Sequence, residues 1–241
     1  MADDIRYQIH GDDLQVVEIE LDPGEAVRAE VGAMMYMEEE ISMQTGLGGG
    51  IFAGLKRKLT GEQFFITSFV NKSKKDLAHV AFAAPYPGRI IPLDLAELGG
   101  GFICQKDSFL CAAKGIDIEV AFTRRLGAGF FGGEGFILQR LEGAGKAFVH
   151  AGGTIIRKEL QRKETLRVDT GCVVGFTPDV EYKIKFVGGF RNAMFGREGV
   201  YLAFLEGPGV VYLQSLPFAR LVDRIQSTAA QQTGAVEDDK G

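Results

Sequence analysis

The chain has 241 residues, 46% hydrophobic and 24% charged, the balance of an ordinary globular protein with a sizeable core. Its formal net charge of -5 argues against broad nucleic-acid binding, which needs a basic surface. The three cysteines, Cys104, Cys111 and Cys172, are odd in number and lack paired spacing, so a disulfide framework is not expected and a reducing compartment is.

The N-terminus, MADDIRYQIHGDD, is acidic and lacks the charged-then-apolar pattern of a signal sequence. No apolar run reaches the roughly 18 residues that a membrane-spanning helix needs. The expected location is cytoplasmic. The 33 glycines are about twice the usual share of roughly 7%, which fits many short strands and tight turns.

Along the chain one pattern recurs three times. Asp22-Pro23-Gly24 opens the first copy, followed by PGEAVRAEVGAMMYM from Pro23. LGGGFICQKDSFLCA from Leu98 and RKETLRVDTGCVVGF from Arg162 take the same place in the other copies. Glu25 matches Glu164 and Gly32 matches Gly171. The middle copy has Gly100 and Asp107 there. Later in each copy a glutamate, Glu62, Glu134 or Glu198, starts an apolar run: GEQFFITSFV, GEGFILQRLEG and REGVYLAFLEG. Such self-similarity indicates a duplicated unit.

Strand periodicity is explicit in two places. Ile116, Ile118, Val120 and Phe122 alternate with Asp117, Glu119 and Ala121. Tyr182, Ile184 and Phe186 alternate with Glu181, Lys183 and Lys185. Alternation places one row on the core and the other in water. Residues 63–69, QFFITSF, are apolar on both faces and predict a central strand or an interface. Turns at Pro85-Tyr86-Pro87-Gly88, Glu142-Gly143-Ala144-Gly145, Glu206-Gly207-Pro208-Gly209 and residues 71–76 each join two apolar runs, which reads as hairpins. Only the C-terminus looks helical. Ser215 can cap, Pro217 suits the first turn, and Phe218, Leu221, Val222 and Ile225 recur at helical spacing.

These observations predict an all-β chain of three diverged repeats with pseudo-threefold symmetry, its sheets packed barrel- or sandwich-like, plus a short C-terminal helix. A single domain spans 1–230, with repeats at about 10–84, 85–153 and 154–216, a helix at about 217–230 and a disordered tail at 231–241.

The repeated Gly-Glu before an aromatic-rich strand, together with GLGGGIFAGLKRKLTGEQFF at residues 46–65, resembles the bacterial relatives of the mitochondrial altered-inheritance-of-mitochondria (Aim) biogenesis protein. The resemblance covers roughly residues 5–225. It implies a β-fold similar to the tryptophan RNA-binding attenuator protein, with internal pseudo-threefold symmetry. It implies no enzymatic activity and carries over no catalytic residue. The mitochondrial relatives are linked to inner-membrane organisation. Likeness of fold does not license tryptophan or RNA binding.

The candidate interaction surface is the glycine-rich segment of each copy. Ile51, Phe52 and Leu55 are followed by Lys56, Arg57 and Lys58. The second copy offers Phe130 and Phe131 after Arg124-Arg125, and the third offers Phe190 and Phe195 beside Arg191. These apolar tips beside cations either contact another subunit, a partner or a membrane surface, or turn inward and close the core. The loose G-x-G-x-x-A match at Gly46 lies between strands, not in the βαβ unit that dinucleotide binding requires.

Glu38-Glu39-Glu40 reads as a solvated strand end. His10, His79 and His150 have no metal-ligand spacing, and His79 and His150 look like one inherited structural position. Cys104 and Cys111, seven residues apart, would sit on opposite faces of one regular strand. Glu62, Glu134 and Glu198 are read as hairpin starts, because clustered carboxylates are costly. No catalytic residue, cofactor or metal is expected. The leading expectation is a non-enzymatic, homo-oligomeric scaffold, a trimer being one lawful size, with an unidentified protein partner and no nucleic acid. The alternatives are a small-molecule-binding module with its site between repeats or subunits, and a peripheral membrane protein using residues 51–58.

Overall fold

The computed structural model describes residues 2–45, 66–124, 136–187 and 200–237. A leading strand, β1 (Arg6–His10), precedes three blocks of six strands. The first block holds β2 (Val16–Leu21), β3 (Ala26–Glu30), β4 (Met34–Met37), β5 (Ile41–Thr45), β6 (Ile66–Asn71) and β7 (Ala78–Ala83). The second holds β8 (Arg89–Asp94), β9 (Gly101–Gln105), β10 (Phe109–Ala113), β11 (Asp117–Arg124), β12 (Phe136–Glu142) and β13 (Lys146–Ala151). The third holds β14 (Ile155–Leu160), β15 (Thr165–Asp169), β16 (Val173–Phe176), β17 (Glu181–Val187), β18 (Val200–Glu206) and β19 (Gly209–Gln214), followed by helix α1 (Phe218–Glu237). In every block a one-turn 3-10 helix joins the second strand to the third: Val31–Ala33, Lys106–Ser108 and Thr170–Cys172.

Each block pairs its strands in the same antiparallel way. The sixth strand lies between the first and third: β7 between β2 and β4, β13 between β8 and β10, β19 between β14 and β16. The fifth lies between the second and fourth: β6 between β3 and β5, β12 between β9 and β11, β18 between β15 and β17. Two further pairs cross block boundaries, β3 with β10 and β9 with β16. These crossings produce two six-stranded sheets, β5-β6-β3-β10-β13-β8 and β11-β12-β9-β16-β19-β14. The remaining strands form β1-β2-β7-β4 and β15-β18-β17. Among the described residues none of the four sheets closes into a barrel.

The turns do not make the hairpins that their sequences suggest. β6 and β7, β12 and β13, and β18 and β19 each follow one another in the chain but lie in different sheets. Glycine or Gly-Pro in the second and third of these connections, and the Asn71–Asp76 turn in the first, turn corners between sheets, and short-range turn chemistry does not specify which neighbour a strand will bond. The strands that do pair in succession are β1 with β2 and, within the blocks, β5 with β6, β11 with β12 and β17 with β18.

Local irregularities repeat as well. The third strand of each block carries a bulge against its sixth strand, between Met34 and Tyr36, Phe109 and Cys111, and Val173 and Gly175. A bulge between Val120 and Phe122 breaks the expected alternation of β11 and leaves Val120 exposed. β6 is buried on both faces over most of its length, as an apolar inner strand should be. The core is built on Phe69, Phe82, Phe102 and Phe148, all fully buried, with a second cluster around Leu138, Phe176 and Val211. Phe69 and Phe82 meet edge to face at 5.1 Å and so join two sheets.

The helix differs from expectation. It starts at Phe218 and runs to Glu237, past the expected end and into the segment expected to be disordered. Ser215 does not cap it. Its Oγ accepts from the Thr154 amide at 2.8 Å. Among the described residues no helix is long and apolar enough to cross a membrane.

Candidate functional site

Glu30, Gln105 and Asp169 each end a second strand and lead into a 3-10 turn. These three corners carry the same backbone and differ in closure. Between the second and third blocks, Gln105 Nε2 donates to the Thr170 carbonyl at 2.6 Å, and within the third block Gln214 Nε2 donates to the Gly171 carbonyl at 2.9 Å. Both amides are buried, where an unmet polar group is expensive, so these bonds hold the corner shut. β16 is buried throughout there. The corner between the first and second blocks closes through β3 and β10, and β10 is also buried throughout.

The third corner is open. β4 and β15 occupy the places held elsewhere by β10 with β3 and by β16 with β9, yet they do not pair with each other among the described residues. β4 keeps an apolar sequence, but Met35, Tyr36 and Met37 are 61%, 42% and 37% exposed. β15 is exposed or half-buried except at Val168. Helix α1 is tethered at this corner. Asp169 accepts from the Gly171 amide and from Arg220 of α1, each at 2.9 Å.

Between the first two 3-10 turns and α1 lies a cavity of about 630 Å3. Gly32 and Ala33 border it on one side, Ser108 and Phe109 on another, and Phe218 and Val222 of α1 cover it. Tyr86 stands in its wall. The ring meets His150 edge-on at 4.6 Å and lies 5.0 Å from Phe218, while the hydroxyl donates to the Asp107 carbonyl at 3.2 Å. Burial pushes the Tyr86 phenol well up, so it stays protonated.

His150 is 2% exposed. Burial pulls its imidazole down to about 4 against a weaker opposing hydrogen bond to the Gly88 backbone, so the ring is neutral at pH 7. Neither His150 Nδ1 nor Ser108 Oγ has a hydrogen-bond partner among the described residues. The backbone explains the close fit at Gly88. A Cβ there would lie 2.2 Å from the Ala151 carbonyl oxygen and 2.6 Å from the His150 ring.

Strand register corrects the expected kinship of the histidines. Met34 faces Phe82, Phe109 faces Val149 and Val173 faces Leu213 where each third strand starts. The next residues, Ala83, His150 and Gln214, therefore share one position, and His79 does not belong to it. His79 and His10 instead share the outer face of the first sheet. His10 bonds Glu18 at 2.9 Å, and His79 contacts Glu38 at 3.1 Å and Glu20 at 3.5 Å. Tyr36 donates to Glu18, which pushes the phenol up to about 12. Burial pulls His79 down, but the Glu38 hydrogen bond and the nearby carboxylates outweigh it and leave its pKa raised. Glu38, from the acidic run, thus has a partner. Among the described residues no group of three His, Cys, Asp or Glu is arranged to hold a metal ion.

Cys104 and Cys111 lie on β9 and β10, in two different sheets, instead of on one strand, because a 3-10 turn separates them. Both are buried free thiols, and Cys172 is half-buried at the end of a turn. All ten expected surface residues, Ile51, Phe52, Leu55, Lys56, Arg57, Lys58, Phe130, Phe131, Phe190 and Phe195, lie outside the described residues, as do Glu62, Glu134 and Glu198. The cavity residues escaped sequence reading. Tyr86 reads as part of a turn, Phe109 falls inside the repeated segment from Leu98, and His150 reads in the sequence only as a structural position.

Comparison with known proteins agrees with the sequence resemblance. An uncharacterized protein of Streptococcus pyogenes serotype M6 is 29% identical over 209 residues, covering 83% of this chain and 81% of that protein. The crystal structure of protein SPYM3_0169 from Streptococcus pyogenes superposes with a TM-score of 0.74 at 26% identity, covering 93% of this chain and 99% of that one. The model of the family described as mitochondrial biogenesis AIM24 matches residues 7–216, nearly the whole β region, and the chain belongs to that family.

Proposed function

We propose that the chain is a non-enzymatic scaffold that assembles with further copies of itself, β4 of one copy pairing with β15 of the next. The observation that carries this reading is the unequal corner. The strands equivalent to β4 are buried along their whole length, whereas Met35, Tyr36 and Met37 keep apolar side chains exposed on an edge that pairs with no strand among the described residues. Unpaired apolar edges template strand addition unless something covers them. The antiparallel β3–β10 and β9–β16 ladders supply the geometry for such a pair.

A β4–β15 contact between chains closes as an isologous two-fold dimer when it is made in both directions, or as a small ring when it is heterologous, three copies being one lawful size. A pseudo-threefold arrangement of the blocks belongs to the same reading and is supported by their identical internal pairings. A cytoplasmic setting fits Cys104 as a buried free thiol, pushed up to about 12 by burial and therefore unreactive.

The test is light scattering coupled to size exclusion on the wild type and on a Met35→Lys/Met37→Lys variant. Charged residues on an exposed edge block strand addition without touching the core. The expected result is a discrete wild-type oligomer and a monomeric variant with unchanged circular dichroism and melting temperature. A monomeric wild type, or an oligomer the variant leaves intact, overturns the reading.

A further inference from the structure

We infer that the cavity between the first two 3-10 turns and α1 binds a small apolar amine. This inference rests on the cavity alone and stands whether or not the chain self-assembles. The volume of about 630 Å3 lies inside the range of small-molecule sites, about 300–1,000 Å3. The wall is largely aromatic and aliphatic, with Tyr86, Phe109 and Phe218 contributing rings.

The polar groups in that wall select the sign of the ligand. Glu30, Asp107 and Asp223 line the cavity, and none of its described lining residues is lysine or arginine. Two uncharged groups add to this set. Ser108 and His150 are 1% and 2% exposed, and Ser108 Oγ and His150 Nδ1 have no partner among the described residues. A neutral imidazole has one donor and one acceptor nitrogen and a hydroxyl can do either, so both orphaned atoms can accept from a donor placed in the cavity.

Three carboxylates, two orphaned atoms able to accept and the π-faces are all met by a group that has donors only. An ammonium carries up to three donors and no acceptor, and aromatic faces attract it. A carboxylate or phosphate would face like charge. A plain hydrocarbon would leave the buried acceptors unmet, which costs free energy in the complex as in the empty protein. The apolar body of the amine takes the place of water against the rings, and the α1 tether through Arg220 and Asp169 keeps the cover in position.

The experiment is isothermal titration of the full chain with 2-(1-naphthyl)ethylamine and, as a shape-matched anion, 1-naphthaleneacetic acid. Two variants accompany it. Ala219→Trp, on α1, fills the cavity from its cover, and Asp223→Asn removes one wall charge from an exposed position. The expected outcome is saturable amine binding, acid binding at least about tenfold weaker, and loss of amine affinity by about tenfold or more in Ala219→Trp. Asp223→Asn should weaken the amine by about threefold and leave the acid unchanged or improved. Both variants should keep the wild-type melting temperature without ligand. Acid binding as tight as amine binding, amine binding indifferent to Ala219→Trp, or no amine binding at about millimolar concentration each overturns the inference.

Discussion

The corner at β10 and the corner at β4 are built from the same parts and reach opposite ends. Each has a strand ending in a polar residue, a 3-10 turn, a bulged strand and a sixth strand beside it. At β10 a neighbouring block supplies β3, and Phe109, Leu110, Cys111, Ala112 and Ala113 are all buried. At β4 no strand arrives among the described residues, and Met35 and Tyr36 stand in water. The difference lies in the neighbour: a strand's own sequence prepares it for burial, and the next block decides whether burial happens.

The largest effect should come from truncating the same bulge position at the two corners. Leu110 is 2% exposed and Met35 is 61% exposed. Leu110→Ala should cost about 2–5 kcal/mol through lost contacts and a cavity. Met35→Ala should stay within about 0.5 kcal/mol in the monomer. Urea unfolding of both variants measures the contrast. Equal costs would show that β4 is covered in solution, and at low protein concentration that result would break the comparison.

The next effect is pH dependence at the closed corner. An unfolded chain protonates His150 near its ordinary value of 6.5, whereas burial holds the folded ring down to about 4. Between those values the unfolded state binds the extra proton, so this contribution is fully present above pH 6.5 and is lost as the pH falls towards 4. The loss is on the order of 3 kcal/mol across the window. His150→Gln, which borrows the residue of the equivalent position Gln214, should flatten the pH dependence of the melting temperature there. A slope that persists in the variant would assign it to another group.

The smallest effect separates the first and third blocks at the turn before their second strands. Glu25 accepts from the Asp22 amide and Glu164 from the Gln161 amide, each at 2.8 Å, so the two turns are alike. Gly24 has φ +90° in the first, but Lys163 has φ +67° in the third. A side chain in that region is strained. Lys163→Gly should therefore stabilise the protein by about 0.5–1 kcal/mol, partly offset by the freer unfolded chain. A destabilised variant would mean that the lysine side chain contributes more than its backbone strain costs.

Much of the fold was legible. The matched Glu25 and Glu164 sit in matching turns, and Gly32, Asp107 and Gly171 sit at the centres of the three 3-10 turns. The described part of the two-sided apolar run, Ile66 to Phe69, lies in an inner strand. The cavity was not legible, because Tyr86, Ser108, His150 and Phe218 come from four separate places in the chain and none is unusual among its sequence neighbours. The helix end was misjudged because the polar residues after Ile225 carry no stop signal and no apolar face.

By itself the sequence determined that the chain is all-β, where several strands lie and which turns recur, since periodicity and turn chemistry act over a few residues. Only the tertiary structure decided which strands bond. Successive strands separated by Gly143-Ala144-Gly145 or Gly207-Pro208 go to different sheets, and pairing depends on which surfaces pack together far along the chain. The same long-range packing left one corner of three without a paired strand among the described residues and opened a cavity under α1. No local pattern can encode that, because β4 is as apolar as the strands that found partners.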